Sequence, residues 1–172
     1  VILDWTPAQF PRYASGLEKF DGTPLYERQN PAEAIHPFWG TLLYNYGSPM
    51  VKDFLISNAC FWAEVYHADG LRMDDVDAML YLDYGRNPGE WTPNIYGTNE
   101  NLDALEFLKH LNSVIKERNP GLLLVAQENG LWPELTDSVE NDHLGFDYKW
   151  SGGWTKDLLE YLSKDPIERK NY

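Results

Sequence analysis

Cysteine is all but missing from this chain: Cys60 is alone, so no intramolecular disulfide can form. A reducing compartment, the cytoplasm, is therefore the expected setting, and the apolar neighbours of Cys60 predict a buried, inert thiol in a helix. Basic residues are scarce as well, 14 Lys and Arg against 27 Asp and Glu, for a formal net charge of −13. That deficit argues against nucleic acid and anionic membrane surfaces as partners, because both require basic patches. No apolar run reaches the roughly 20 residues a membrane helix needs. No glycine-rich loop follows a strand to cradle a phosphate. Aromatic residues are abundant instead, at 15% of the chain with seven Trp and eleven Tyr. Rings stack on sugar faces and carboxylates bond sugar hydroxyls, so this composition suits carbohydrate, but rings also fill cores and composition leaves both open.

Val1-Ile2-Leu3-Asp4-Trp5 reads as a buried parallel-type strand closed by Thr6-Pro7. Because the chain opens inside a strand, it is expected to be a fragment. Residues 6 to 46 carry five prolines and no sustained period, which predicts a long ordered loop. Ser48 and Pro49 then announce a helix whose expected buried face is Val51, Phe54, Leu55, Phe61, Trp62 and Val65. Gly70 ends it, and Leu71-Arg72-Met73 forms a short strand opening into Asp74, Asp75 and Asp77. After a polar loop, Leu102, Leu105, Leu108, Leu111 and Ile115 mark a second amphipathic helix, stopped by Pro120. Leu122–Val125 is the next buried strand and runs into Ala126-Gln127-Glu128; residues 144–150 form a fourth. Trp154, Leu158, Tyr161 and Leu162 pattern a last helix that stops before Pro166.

Four strand–helix units in one domain, residues 1–172, make an α/β chain with a parallel sheet. They cannot close an eight-stranded barrel, which takes about 250 residues, so the alternatives are part of such a barrel or a small open sheet. The acids decide between them. Asp4, Asp74 and the Gln127-Glu128 pair all fall at carboxyl ends of strands, where barrel enzymes keep their chemistry, and the open sheet would want the missing phosphate loop.

Strand alternation points Arg72 and Asp74 the same way and Asp75 the other. A guanidinium beside a carboxylate favours its ionised form, which suits a nucleophile rather than an acid. A purely structural ion pair at a strand end is an equally ordinary reading of those two residues.

The motifs Val1-Ile2-Leu3-Asp4-Trp5, Asp21-Gly22-Thr23-Pro24-Leu25-Tyr26, Leu43-Tyr44-Asn45-Tyr46-Gly47 and Leu71-Arg72-Met73-Asp74 together carry a resemblance. Met79-Leu80-Tyr81-Leu82-Asp83-Tyr84, Gly89-Glu90-Trp91, Asn99-Glu100-Asn101-Leu102 and Tyr148-Lys149-Trp150 extend it over essentially the whole chain, in order. The chain resembles the glycogen branching enzymes, α-amylase-type glycoside hydrolases of family 13. That resemblance implies a partial (β/α)8 TIM barrel, roughly strands three to six with their helices and long βα loops. It implies an α-glucan substrate such as glycogen or amylose-like chains, with the remaining strands and accessory domains as partners and no cofactor or metal.

By the same resemblance Asp74 matches the catalytic nucleophile, Arg72 the arginine that orients it, and Asp4 a substrate-binding aspartate. Further substrate contacts are expected at Trp5, Gln9, Tyr44 and Tyr46, although loop packing is the commoner role for any single tyrosine. The family reaction is a retaining double displacement that moves a cleaved α-1,4 chain onto a sugar hydroxyl as an α-1,6 branch. It needs one ionised and one protonated carboxyl about 5–5.5 Å apart.

Two departures bear on activity. The position of the family's acid/base glutamate holds Gln127, whose amide can neither give nor take the proton, and loss of such help costs about 10²–10⁴-fold. Glu128 would replace it only through a bulge, since alternation turns it to the other face. The histidine five residues after the first Asp is Gln9, and the third family carboxylate would lie beyond residue 172. A non-catalytic α-glucan-binding relative is therefore the alternative function. A metal site at Asp74, Asp75 and Asp77 is a further alternative, unsupported by any phosphate-binding element.

Overall fold

The computed structural model of the chain describes residues 1–13, 15–130 and 132–171. In chain order the elements are β1 (Ile2–Trp5), β2 (Gln9–Phe10), α1 (Pro31–Ala34), β3 (Leu42–Leu43), α2 (Pro49–Glu64), β4 (Gly70–Met73), α3 (Val76–Leu80), α4 (Leu102–Arg118), β5 (Leu123–Gln127), β6 (Tyr148–Trp150) and α5 (Gly152–Ser163). The strands β1, β4, β5 and β6 lie side by side in that order, all parallel. Asp4 pairs with Arg72, Arg72 with Val125, and Gln127 with Trp150, so the carboxyl ends of all four strands share one rim. Among the described residues, no helix is long and apolar enough to cross a membrane.

The period of two sorts the sheet into a covered and an open face. Leu71, Met73, Leu124 and Ala126 are wholly buried on the covered face. Ile2, Leu123, Tyr148 and Trp150 are 37–60% exposed on the other. Both long helices serve the covered face. From α4, Phe107, Leu108, Leu111 and Ile115 are completely buried, and Phe107 stacks on Tyr46 with ring centroids 5.2 Å apart. Burying each such side chain stabilises by about 1.5–3 kcal/mol. A parallel sheet with helices on one face only is one wall of a barrel, not a doubly wound sheet, so the fold is a partial barrel without closure.

Three sequence expectations need correction. The buried stripe of α2 is Val51, Leu55, Ala59, Cys60 and Ala63, while Phe61 and Val65 are exposed. That stripe, rich in small residues, joins the core, and Phe61 instead packs with Trp62 and Tyr66 at 5.2–5.3 Å ring separations. Residues 6–46 are not all loop: β2 and β3 form a short antiparallel pair and Asn30 caps α1 by accepting from Ala32 N. The fourth strand is only Tyr148–Trp150. Gly145 has a φ of +76°, which interrupts extended backbone, and residues 144–146 turn inward, where Asn112 donates to the Leu144 carbonyl. The last helix, α5, forms where its period predicts and stops before Pro166, with none of its side chains buried.

Candidate active site

At the rim of the open face a single guanidinium gathers three strands. Arg72 Nη1 donates to Asp4 Oδ1 at 2.8 Å, while Nη2 reaches Asp74 Oδ1 at 3.4 Å and donates to Gln127 Oε1. The Arg72 guanidinium also lies 5.4 Å from the Trp150 ring centroid, a cation–π contact from the fourth strand. The apolar runs of β1, β4 and β5 set this up: each strand is pinned by its buried alternate residues, so Asp4, Arg72 and Gln127 have only the open face left to occupy. Arg72 is mostly covered, whereas Asp4 and Asp74 remain open to solvent. The cluster thus presents two carboxylates and an amide, fixed by one cation, to whatever enters the mouth. Asp74, just past the end of β4, shares the Arg72 guanidinium with the amide of Gln127 from β5 and with Asp4 from β1.

Asp75 adopts a left-handed backbone, φ +60° and ψ +38°, as the cap residue of α3. That conformation is costly for a residue with a Cβ, by about 1–2 kcal/mol, and it redirects the side chain in a way that strand alternation does not describe. The Asp75 carboxylate accepts from Gln9 Nε2 at 2.8 Å, from His36 Nε2 at 2.7 Å and from the Tyr84 hydroxyl. His36 is fully buried; its Nδ1 accepts from Phe38 N and Trp39 N, so Nε2 carries the hydrogen. Gln9 Oε1 in turn accepts from Thr41 Oγ1. This network bolts the β2–β3 lobe onto the end of β4. Truncating His36 to Ala takes one of three donors from Asp75 and the acceptor from the Phe38 and Trp39 N–H groups, and should cost about 1–3 kcal/mol of stability. The check is the denaturation midpoint of the intact protein at constant slope, with His36→Gln restoring part of the loss.

The remaining expected site residues are elsewhere. Trp5 sits on the covered face and donates through Nε1 to Asn58 at 2.8 Å. Tyr44 and Tyr46 are buried, and the Tyr46 hydroxyl donates to the Pro7 carbonyl at 2.9 Å. Burial pushes the Tyr44 phenol up to about 12, which keeps it neutral. Trp5, Gln9 and Tyr44 instead share the wall of a cavity of about 330 Å³ with Phe54 and Asn58. Another cavity, about 660 Å³, lies at the amino ends of β5 and β6 beside Lys116 and Asp147, away from the cluster. Glu128 is fully buried, turned from Gln127 as alternation requires, and ion-pairs with Lys149.

The three acids after β4 do not converge on a metal: Asp74 faces Arg72, Asp75 faces His36, and Asp77 accepts the N–H groups of Asn129 and Gly130. Among the described residues the group with metal-ligand spacing is Glu134, Asp137 and His143, outside the rim, where His143 and Glu134 already form a 3.1 Å ion pair. Sequence reasoning missed His36 and the use of Trp150 as a lid on Arg72. An aromatic at a strand's carboxyl end was the available signal for the second; nothing local marked the first.

No family model matches the chain. Over 169 residues it is 53% identical to the 1,4-alpha-glucan branching enzyme GlgB of Methylococcus capsulatus, covering 98% of this chain and 23% of that protein. It is 51% identical to the enzyme of the same name from Thermobifida fusca and 55% identical to GlgB 2 of Rhizobium johnstonii, over 99% and 98% of the chain and 23% of each relative. The chain therefore spans about a quarter of the length of the curated relatives it matches. Among solved structures, an Anoxybacillus α-amylase superposes with a TM-score of 0.63 at 15% identity, covering 95% of this chain and 32% of the other. A maltogenic α-amylase AmyB from Thermotoga neapolitana gives 0.59 at 10% identity, covering 98% and 32%. At such identities these two speak for the fold alone.

Proposed function

We propose that this chain, a homologue of the 1,4-alpha-glucan branching enzymes, is the central part of a catalytic barrel that branches α-glucan in glycogen synthesis. The reaction is a retaining transglycosylation: Asp74 attacks the anomeric carbon as the α-1,4 link breaks and its leaving oxygen takes a proton, and a hydroxyl of an acceptor chain then gives up its proton and displaces Asp74 to form an α-1,6 link, both protons passing through water while residue 127 is an amide. The observation that carries this reading is Arg72, which ties Asp4, Asp74 and residue 127 from three adjacent strand ends into one cluster on the open face. Arg72 aims the Asp74 carboxylate and offsets its charge, and Asp4, largely exposed, is free to accept sugar hydroxyls. The remaining strands and the accessory domains are the partners of this segment.

A second reading, a non-catalytic α-glucan-binding relative, is favoured by two amides. Gln127 cannot protonate a leaving oxygen, and Gln9 is held at one end by Asp75 and at the other by Thr41 rather than offered to a sugar. Under either reading the chain by itself should neither branch nor hydrolyse amylose. Purified residues 1–172 incubated with amylose should yield no new α-1,6 links and no reducing ends. Turnover that disappears on Asp74→Asn would overturn that expectation. The function itself is tested in the intact protein: new α-1,6 links, counted as chains released by a debranching enzyme, support branching. Retarded migration in amylose gels without such links supports the binder.

A further inference from the structure

Behind the cluster, Asp77 from α3 and Glu128 from the end of β5 meet in the interior, and the reaction above uses neither. Asp77 is 4% exposed and Glu128 not at all. The Asp77 carboxylate accepts from Asn129 N at 2.9 Å and Gly130 N at 3.3 Å. From β6, Lys149 ion-pairs with Glu128 and donates to the Gly130 carbonyl at 3.0 Å. The Gly130 residue is thus held at its N–H by one side chain and at its C=O by another. Asn129 extends the hold, its Oδ1 accepting from Gly152 N at 3.1 Å at the start of α5. A Cβ at 130 would stand 2.5 Å from Glu128 Oε1 and would have to displace that carboxylate. This held segment begins one residue after Gln127.

Two carboxylates face one ammonium here, and the other titratable groups turned toward Asp77 are the Tyr81 and Tyr84 phenols, both raised by burial and so uncharged. With Asp77 ionised, Glu128 Oε1 lies buried beside a second carboxylate, and the Lys149 ammonium on Oε2 is the one cation facing the pair, an arrangement that burial penalises. A proton on Asp77 removes the penalty by making Asp77 the donor to Glu128, leaving its other oxygen for Asn129 N.

We propose that Asp77 is a positioning residue that clamps residues 128–130, and through them residue 127, and that the clamp holds while Asp77 carries the hydrogen of its contact with Glu128 and loosens when Asp77 loses it. Burial, with the Glu128 contact adding to it against the Asn129 N–H, pushes Asp77 up to about 6. An acid whose value is raised in the closed form binds its proton more tightly there than in the open form. Closure is therefore fully supported below the ordinary range near 3.8 and weakens as pH rises through about 6. Between pH 5 and pH 8 the opening equilibrium should rise about tenfold. The effect on residue 127 rests on the proposed reaction; the clamp does not.

Hydrogen exchange by mass spectrometry on the intact protein reads the clamp without reference to activity. After correction for intrinsic exchange rates, a peptide covering 128–130 should open about tenfold more at pH 8 than at pH 5, while one covering β4 stays constant. Asp77→Asn, neutral at both pH values and still able to donate to Glu128 and accept from Asn129, should erase the difference and leave the segment protected throughout. Glu128→Gln, which removes the other charge, should erase it too and stands in should the first variant fail to fold. Exchange independent of pH in the parent protein, or a pH difference that survives whichever variant folds, would overturn the proposal.

Discussion

Gln127→Glu in the intact protein is expected to raise branching on the order of 10²-fold or more. Residue 127 ends β5 on the open face, in contact with the same guanidinium that reaches Asp74, so the substitution puts a protonatable group where a leaving oxygen would need one. The amide already fills the required volume and hydrogen-bonds as a carboxylate would, so little repacking is called for. Arg72 sets the direction of the pH dependence. An adjacent guanidinium favours the ionised carboxylate, whereas acid catalysis needs the proton. The regained activity should therefore be greatest on the acid side and decline as the new glutamate loses its proton, visible as the alkaline limb of the rate profile. Amylose bound and Asp74 ordered, yet no gain in α-1,6 links, would identify the protein as a binder. A misplacement of about 1 Å is enough to produce that outcome, because it can cost a comparable factor.

Asp74→Asn in the Gln127→Glu background should then abolish the regained activity, by about 10⁴-fold or more, the scale of losing a covalent nucleophile. The asparagine Oδ1 still accepts from Arg72 Nη2, and Asp4 keeps its 2.8 Å bond to Nη1, so the cleft should stay assembled. Amylose affinity is accordingly expected to be nearly unchanged while turnover disappears, the pattern of a group that acts only in the transition state. Equal losses of affinity and turnover would show that Asp74 holds the site together rather than attacking the sugar. Turnover kept near the level of the Gln127→Glu protein would remove Asp74 from the chemistry altogether.

Much of this molecule is fixed by short-range pattern. The apolar runs at 1–5, 71–73 and 122–126 and the three- and four-residue spacing of 102–115 specify strand, strand, strand and helix through neighbours only a few residues apart. Period-two alternation then assigns Asp4, Arg72 and Gln127 to one face and Trp5, Met73 and Glu128 to the other, as the folded chain has them.

Alternation fails one residue after Asp74, because the left-handed turn at Asp75 ends the strand geometry and sends that carboxylate to His36, 39 residues away. Proximity of that kind depends on how the β2–β3 lobe docks, which no local period encodes. The same holds for Arg72, whose partners lie 68 and 55 residues away and come within reach only through the register of three parallel strands. Tyr44 and Tyr46 are as suitable chemically for a sugar as for a core, and only the packing of Phe107 against Tyr46 assigned that residue to the interior. Asp77 and Glu128 are each unremarkable acids along the chain. Only tertiary structure buries them against each other, and burial is what makes their proton matter.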